Sequence, residues 1–231
     1  YYSKLNSFDE EKLPNSAKLN LQVAKFSAGI EKRGFENFRY FMGPFIQFYG
    51  SHLHFVNFMT DTHRLSNEKD AEDYIKRVNE IPRVIEELMI FEEQRANEGI
   101  YSPKFVYEKT LNQLTSLIET PNDDHPLYVS FIEGIEKFDT SDDKKAEMVI
   151  ELKEAIKNFK TSYAKLKILV ETNSQGAREF DGVWSLPNGE DYYKHRLQIY
   201  TTTNLTADEI HNLGLKLVEE IQSEIKSILS D

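Results

Sequence analysis

With no cysteine in the 231-residue chain, a thiolate nucleophile and a cysteine-based metal site are excluded, which leaves six histidines, His52, His54, His63, His125, His195 and His211, as the imidazoles for metal or acid–base chemistry. His52-Leu53-His54 followed by Asp61-Thr62-His63 is the one cluster with metal-ligand spacing. On a strand His52 and His54 would share a face; on a helix they diverge. The surrounding residues read as helical or irregular, which favours packing and polar roles over a metal. Asp123-Asp124-His125 has the composition of a turn. No HExxH pair, Gly-rich phosphate loop, GxSxG elbow or SxxK motif occurs. The paired glutamates Glu86-Glu87, Glu92-Glu93 and Glu219-Glu220 read as solvent faces of helices, whereas a general acid needs a desolvated or partnered carboxyl. No catalytic constellation and no metal site closes from these residues.

The best local candidates for a ligand site are Tyr192, Tyr193 and His195, followed by Thr201, Thr202 and Thr203. Adjacent tyrosines point apart on a helix, so one can pack while the other offers its hydroxyl to a cleft. The threonine run is β-branched, poor in a helix interior and expected to be extended, as Tyr200–Asn204. Such a segment could flank a substrate backbone as an edge strand does.

Composition narrows the classes. A net charge of −11 disfavours nucleic acid and an anionic membrane surface as partners. No apolar run reaches the ~18 residues of a membrane span. The chain opens at Tyr1 without a Met or a signal-peptide pattern, which suggests a trimmed start.

The elements that must position these residues are helical. Leu19, Val23, Phe26 and Ile30 predict a helix capped near Asn15 or Ser16 and ending at Gly34. Phe35 to Phe58 is rich in aromatics and broken by Gly43-Pro44 and Gly50; it either packs irregularly between helices or lines a pocket wall. Tyr74, Val78, Ile81, Ile85 and Leu88 predict a long helix over 67–97, with Pro82 kinking or dividing it and Gly99 closing it. Tyr107, Leu111, Leu114 and Ile118 mark a further helix opened by Ser102-Pro103. Val149, Leu152, Ile156, Phe159, Tyr163, Leu166 and Val170 keep a bundle seam over 141–173. Leu186-Pro187-Asn188-Gly189 is a turn, and 190–200 is helical. Thr206 with Glu209 forms a capping box for a last helix whose inner side carries Ile210, Leu213, Leu217, Ile221 and Ile228. Gly214 within that helix costs about 1 kcal/mol against Ala, which anticipates close approach by a neighbour. The expectation is an all-α antiparallel helical bundle of about seven helices in one region over 1–231, with at most a small β element near 183–204.

The run Gly182-Val183-Trp184-Ser185-Leu186-Pro187-Asn188-Gly189, then Tyr192-Tyr193, then Thr201 through Leu215, resembles the DUF885 family of bacterial proteins. Asp73-Tyr74-Ile75-Lys76-Arg77-Val78, Ile81-Pro82, Gln94-Arg95 and Gly99-Ile100-Tyr101-Ser102-Pro103 resemble it as well, so the likeness covers about 35–229. The resemblance implies a helical, zincin-type metallopeptidase-like protein, commonly much longer and often an exported protein or lipoprotein of the periplasm or cell envelope. It implies that this chain is the N-terminal half of a two-lobed protein. Zinc and the catalytic Glu would belong to an HExxH helix in the C-terminal half, and none of those positions falls on a residue present here.

Two functions follow as expectations. One is a non-catalytic wall of the substrate cleft of a zinc metallopeptidase-like hydrolase, with a peptide as substrate and the C-terminal half, or a second copy in a homo-oligomer, as partner. The other is a non-catalytic helical binding or scaffold module.

Overall fold

The computed structural model describes residues 1–230. Nine α-helices account for most of them: α1 (Tyr2–Asn6), α2 (Asn15–Phe38), α3 (Ser51–Asn57), α4 (Glu68–Asn97), α5 (Lys104–Glu119), α6 (Pro126–Ile135), α7 (Asp142–Ser174), α8 (Gly189–Thr201) and α9 (Ala207–Ser230). Among the described residues there is no β-strand; the one isolated bridge pairs Pro103 with Arg178. Near 183–204, where the sequence allows at most a small β element, a short 3-10 turn and α8 stand. The Cα trace divides into two compact units, one made of Tyr40–Asp181 and the other of Tyr1–Arg39 with the segment from Gly182 onward.

The first unit is organised on the two long amphipathic helices. α4 and α7 form its most extensive pairing, and α5 packs on α7 as well. Tyr74, Val78, Ile81 and Ile85 of α4 are buried, as are Leu152, Ile156, Phe159, Tyr163, Leu166 and Val170 of α7. The 3–4 spacing that predicts each seam is the spacing that puts those side chains on one helical face. Pro82 neither divides nor ends α4, which runs from Asn67 as N-cap through to Asn97. A proline there removes one backbone donor, and burial of the residues on either side holds the helix together. Gly99 closes it at φ +72°. Ser141 caps α7 by accepting the amide N–H of Lys144 at 3.2 Å. Met148 and Ala155 are also buried on α7, while Val149 is only half covered.

The aromatic stretch splits. Phe35 and Phe38 belong to α2, Phe45 is buried, and Phe48 and Tyr49 are exposed.

In the second unit α2 packs with α1 and α8. Gly34 does not stop α2, which continues to Phe38. The apolar stripe expected to be its inner face is mostly on the outside. Leu19, Val23 and Phe26 are exposed, and only Ile30 of that set is buried, with Leu21 and Ala28. Periodicity reports that a helix has an apolar face; it cannot report whether the unit supplies a partner for it. α9 repeats the lesson, with no buried residue along its length. Its Gly214 has nothing within 4 Å of where a Cβ would stand, so no neighbour among the described residues approaches it.

Candidate functional site

Pro187-Asn188-Gly189 starts α8 in a tight turn. Asn188 is its N-cap in the left-handed region at φ 54°. Gly189 is buried against the Val183 carbonyl, where a Cβ would collide with backbone. That turn aims the first two turns of α8 at α2. Tyr192 meets Phe38 edge-on at 5.5 Å. His195 lies over the same ring at 5.2 Å. Its Nε2 faces the Gly34 backbone.

Beside this contact lies an open cleft of about 880 Å³, bordered by α2, α8 and the start of α9. Ligand sites commonly have this size and a few placed polar groups. Arg33, Asn37, Tyr193, His195, Gln198 and Asn204 supply those groups. Arg33 donates to Gln198 Oε1, and Gln198 Nε2 donates to Asn204 Oδ1 at 2.8 Å. Lys194 is tied to Glu190 at 2.8 Å. Asp191 and Asp208 also face the cleft, so neither sign of charge dominates it. Burial, then the Arg33 and Arg196 guanidiniums, hold His195 below the usual imidazole range. It is a neutral donor–acceptor at pH 7.

Of the six residues singled out in the sequence, Tyr193, His195 and Thr203 border this cleft, while Tyr192, Thr201 and Thr202 do not. The threonine run is not extended. Thr201 is the last residue of α8, and its Oγ1 donates back to the Leu197 carbonyl at 2.9 Å. Thr202 follows in the left-handed region at φ 55°. Thr203 Oγ1 accepts the Leu205 amide N–H at 3.3 Å. Hydroxyls that bond to nearby backbone stabilise a turn against a strand. The α9 capping box is present: Glu209 N–H donates to Thr206 Oγ1 at 3.2 Å, and Thr206 N–H donates to Glu209 Oε2 at 2.8 Å.

Of the other histidines, His211 is exposed on α9, while His52, His54, His63 and His125 belong to the first unit. His52 is buried on α3, with Nε2 3.0 Å from Gln113 Oε1, while His54 is exposed. His63 bridges Asp70 O at 2.9 Å and Arg77 at 2.6 Å. His125 is buried and caps α6, its Nδ1 accepting the Leu127 amide N–H at 3.3 Å. Among the described residues no group of three or more His, Asp or Glu stands close enough to hold a metal ion.

One cluster escaped the sequence reading. Glu92 is not on a solvent face: it is 4% exposed and paired with Arg95 at 2.9 Å. Arg95 Nε donates to the Tyr40 carbonyl at 2.8 Å and Nη2 to Ser102 Oγ at 3.2 Å. Burial raises the Glu92 carboxyl above its ordinary range although Arg95 opposes the shift. The signal was available, because Glu92 and Arg95 extend by steps of four and three the stripe that runs through Tyr74, Val78, Ile81, Ile85 and Leu88. A charged pair on a buried stripe must be partnered. Through these bonds it ties the end of α4 to the Tyr40 and Ser102 turns.

No curated protein matches this chain. A crystal structure described as a "putative lipoprotein" from Colwellia psychrerythraea has the same fold, with a TM-score of 0.82 at 21% identity over 99% of this chain. The match takes up 40% of the Colwellia chain, so the present chain spans two fifths of that length. Residues 1–231 match the family described as bacterial protein of unknown function, DUF885. The cleft beside α8 and the Arg95 network thus lie on a helical fold shared with a longer bacterial protein, and the chain belongs to the DUF885 family.

Proposed function

We propose that this chain is the N-terminal helical region of a zinc metallopeptidase-like hydrolase of the bacterial cell envelope, and that its cleft holds part of a peptide substrate. The observation that carries the reading is where the family-like block lies. The turn at Asn188, Tyr193, His195 and the Thr203–Asp208 segment border one cleft rather than scattering over the surface. Its polar groups are amides, a phenol and a neutral imidazole, with charges of both signs. These can pair with the N–H and C=O groups of a peptide backbone without requiring a charged side chain.

In this reading Tyr193, His195 and Asn204 orient substrate and do no chemistry themselves. Zinc, held by a helix outside these 231 residues, would supply the activated water when bound. An envelope location fits the description of the Colwellia protein as a lipoprotein, and no helix among the described residues is long and apolar enough to cross a membrane.

The test starts with the reading frame past Asp231. The expected frame continues into an HExxH helix with a downstream Glu, and the complete product carries stoichiometric zinc and cleaves peptides. Tyr193→Ala and His195→Ala should then lower kcat/KM mainly through KM, by roughly tenfold, as loss of uniform binding does. A stop codon at Asp231, or a complete product that neither holds zinc nor cleaves peptides, overturns the reading.

A further inference from the structure

We infer that α9 is an interior helix of a larger protein, and that its apolar face is the docking surface for a helical lobe encoded after Asp231. Leu213, Leu217, Val218, Ile221, Ile225 and Ile228 are each between 46% and 67% exposed. At 3.6 residues per turn these side chains span an arc of roughly 140°. A dimer seam needs only the narrower stripe of two positions in seven, whereas an arc this broad fits a helix packed against more than one element. Gly214 falls inside the arc, with open space where a Cβ would stand. It leaves a notch at which a crossing helix can come close.

Three observations choose the occupant. The Colwellia chain devotes two fifths of its length to this fold, so a relative of this protein carries ample further polypeptide. The breadth of the arc argues against a second copy contributing one helix. A segment that follows α9 directly also reaches its face with the smallest loop-closure cost. Glu220, paired with Lys216 at 3.7 Å, borders one edge of the arc, Glu224 lies just inside that edge, and both are exposed. The covering lobe is therefore expected to place Lys or Arg along that edge. The inference rests on the proposed function only for the existence of that further lobe; zinc and peptide cleavage are separate readouts.

The chain has no cysteine, so thiol labelling can read the face directly. Leu217→Cys on the apolar arc and Ser223→Cys on the opposite side are made in the complete gene product and in the 231-residue chain. Maleimide labelling rates are measured in dilute, monomeric samples against the unsubstituted background. Ser223→Cys should label quickly in both. Leu217→Cys should label quickly in the short chain and roughly tenfold or more slowly in the complete product, as a buried site does. Equal labelling of the two sites in the complete product overturns the inference. So does protection that fades on dilution, which would assign the face to a second copy, and so does a reading frame that ends at Asp231. Protection in a product that lacks zinc and peptidase activity would uphold the docking surface while rejecting the peptidase.

Discussion

The imidazole of His195 fills the space that a side chain at Gly34 would occupy: a Cβ there would come within 2.9 Å of His195 Nε2. Gly34 lies inside a helix, where Ala is favoured by about 1 kcal/mol. The group in the way is the tip of a side chain, which can turn. Gly34→Ala is therefore expected to leave stability unchanged or slightly raised, while pushing His195 toward the cleft and solvent. Burial is the first cause of the lowered His195 pKa, so the displaced ring should titrate closer to the ordinary histidine value. An NMR titration of His195 in both proteins checks this; an unchanged pKa would show that the ring does not depend on the glycine.

His125 links acidity to stability. Burial first, then the nearby Lys160 charge, lower its pKa from 6.5 to about 4. The unfolded chain takes up the proton near 6.5 and the folded chain resists until about 4. The unfolded state thus binds more protons in that window, and stability falls as pH falls through it. Above the window the neutral ring contributes in full, and the loss across it approaches about 3 kcal/mol. Protonation would also turn the Nδ1 acceptor of the Leu127 N–H into a donor. His52, lowered by burial, acts in the same direction, whereas Glu92, raised by burial, acts in the opposite one. Urea titrations at pH 7 and pH 4.5 should show a smaller drop for His125→Asn, which keeps a cap acceptor and cannot titrate.

Thr202 holds a left-handed conformation with a β-branched side chain at φ 55°. That geometry costs about 1–2 kcal/mol for an L-residue with a Cβ, and glycine adopts it freely. Its N–H already closes α8 onto the Gln198 carbonyl at 3.0 Å, a bond that a glycine would keep. Thr202→Gly should raise stability by about 1 kcal/mol, read as a higher urea midpoint at unchanged slope. A lower midpoint would mean that the threonine hydroxyl matters more than the strain.

Much of this was legible in the sequence. The α4 and α7 seams, the Asn67–Asn97 span with Gly99 behind it, and the Thr206–Glu209 box all follow from short-range rules of periodicity and capping. What failed was information that no local rule holds. The stripe of Leu19, Val23 and Phe26 and the whole of α9 are correctly amphipathic yet uncovered, because a pattern specifies a face and not its partner. Glu92 is the reverse case: its charge predicts exposure, whereas its register on the buried stripe and its Arg95 partner put it inside. β-Branching predicts an extended Thr201–Thr203, whereas their hydroxyls bond to nearby backbone and curl the segment into a turn.

Tyr163 joins two elements of the first unit through a single hydroxyl. Its ring is fully buried and stacked on Phe159 at 3.8 Å. Its OH donates to the His52 carbonyl at 2.8 Å. Burial raises its pKa far above the ordinary tyrosine value, so it remains a donor at every pH of interest. Tyr163→Phe keeps the stack and removes the donor, leaving a buried carbonyl with one partner fewer, at a cost of about 1–2 kcal/mol. Tyr163→Ala also removes the ring and should cost about 3–5 kcal/mol through the cavity it leaves. The difference between the two urea midpoints isolates the packing contribution. If Tyr163→Phe were as damaging as Tyr163→Ala, the bond to His52, and not the stack on Phe159, would be what fixes α3 against α7.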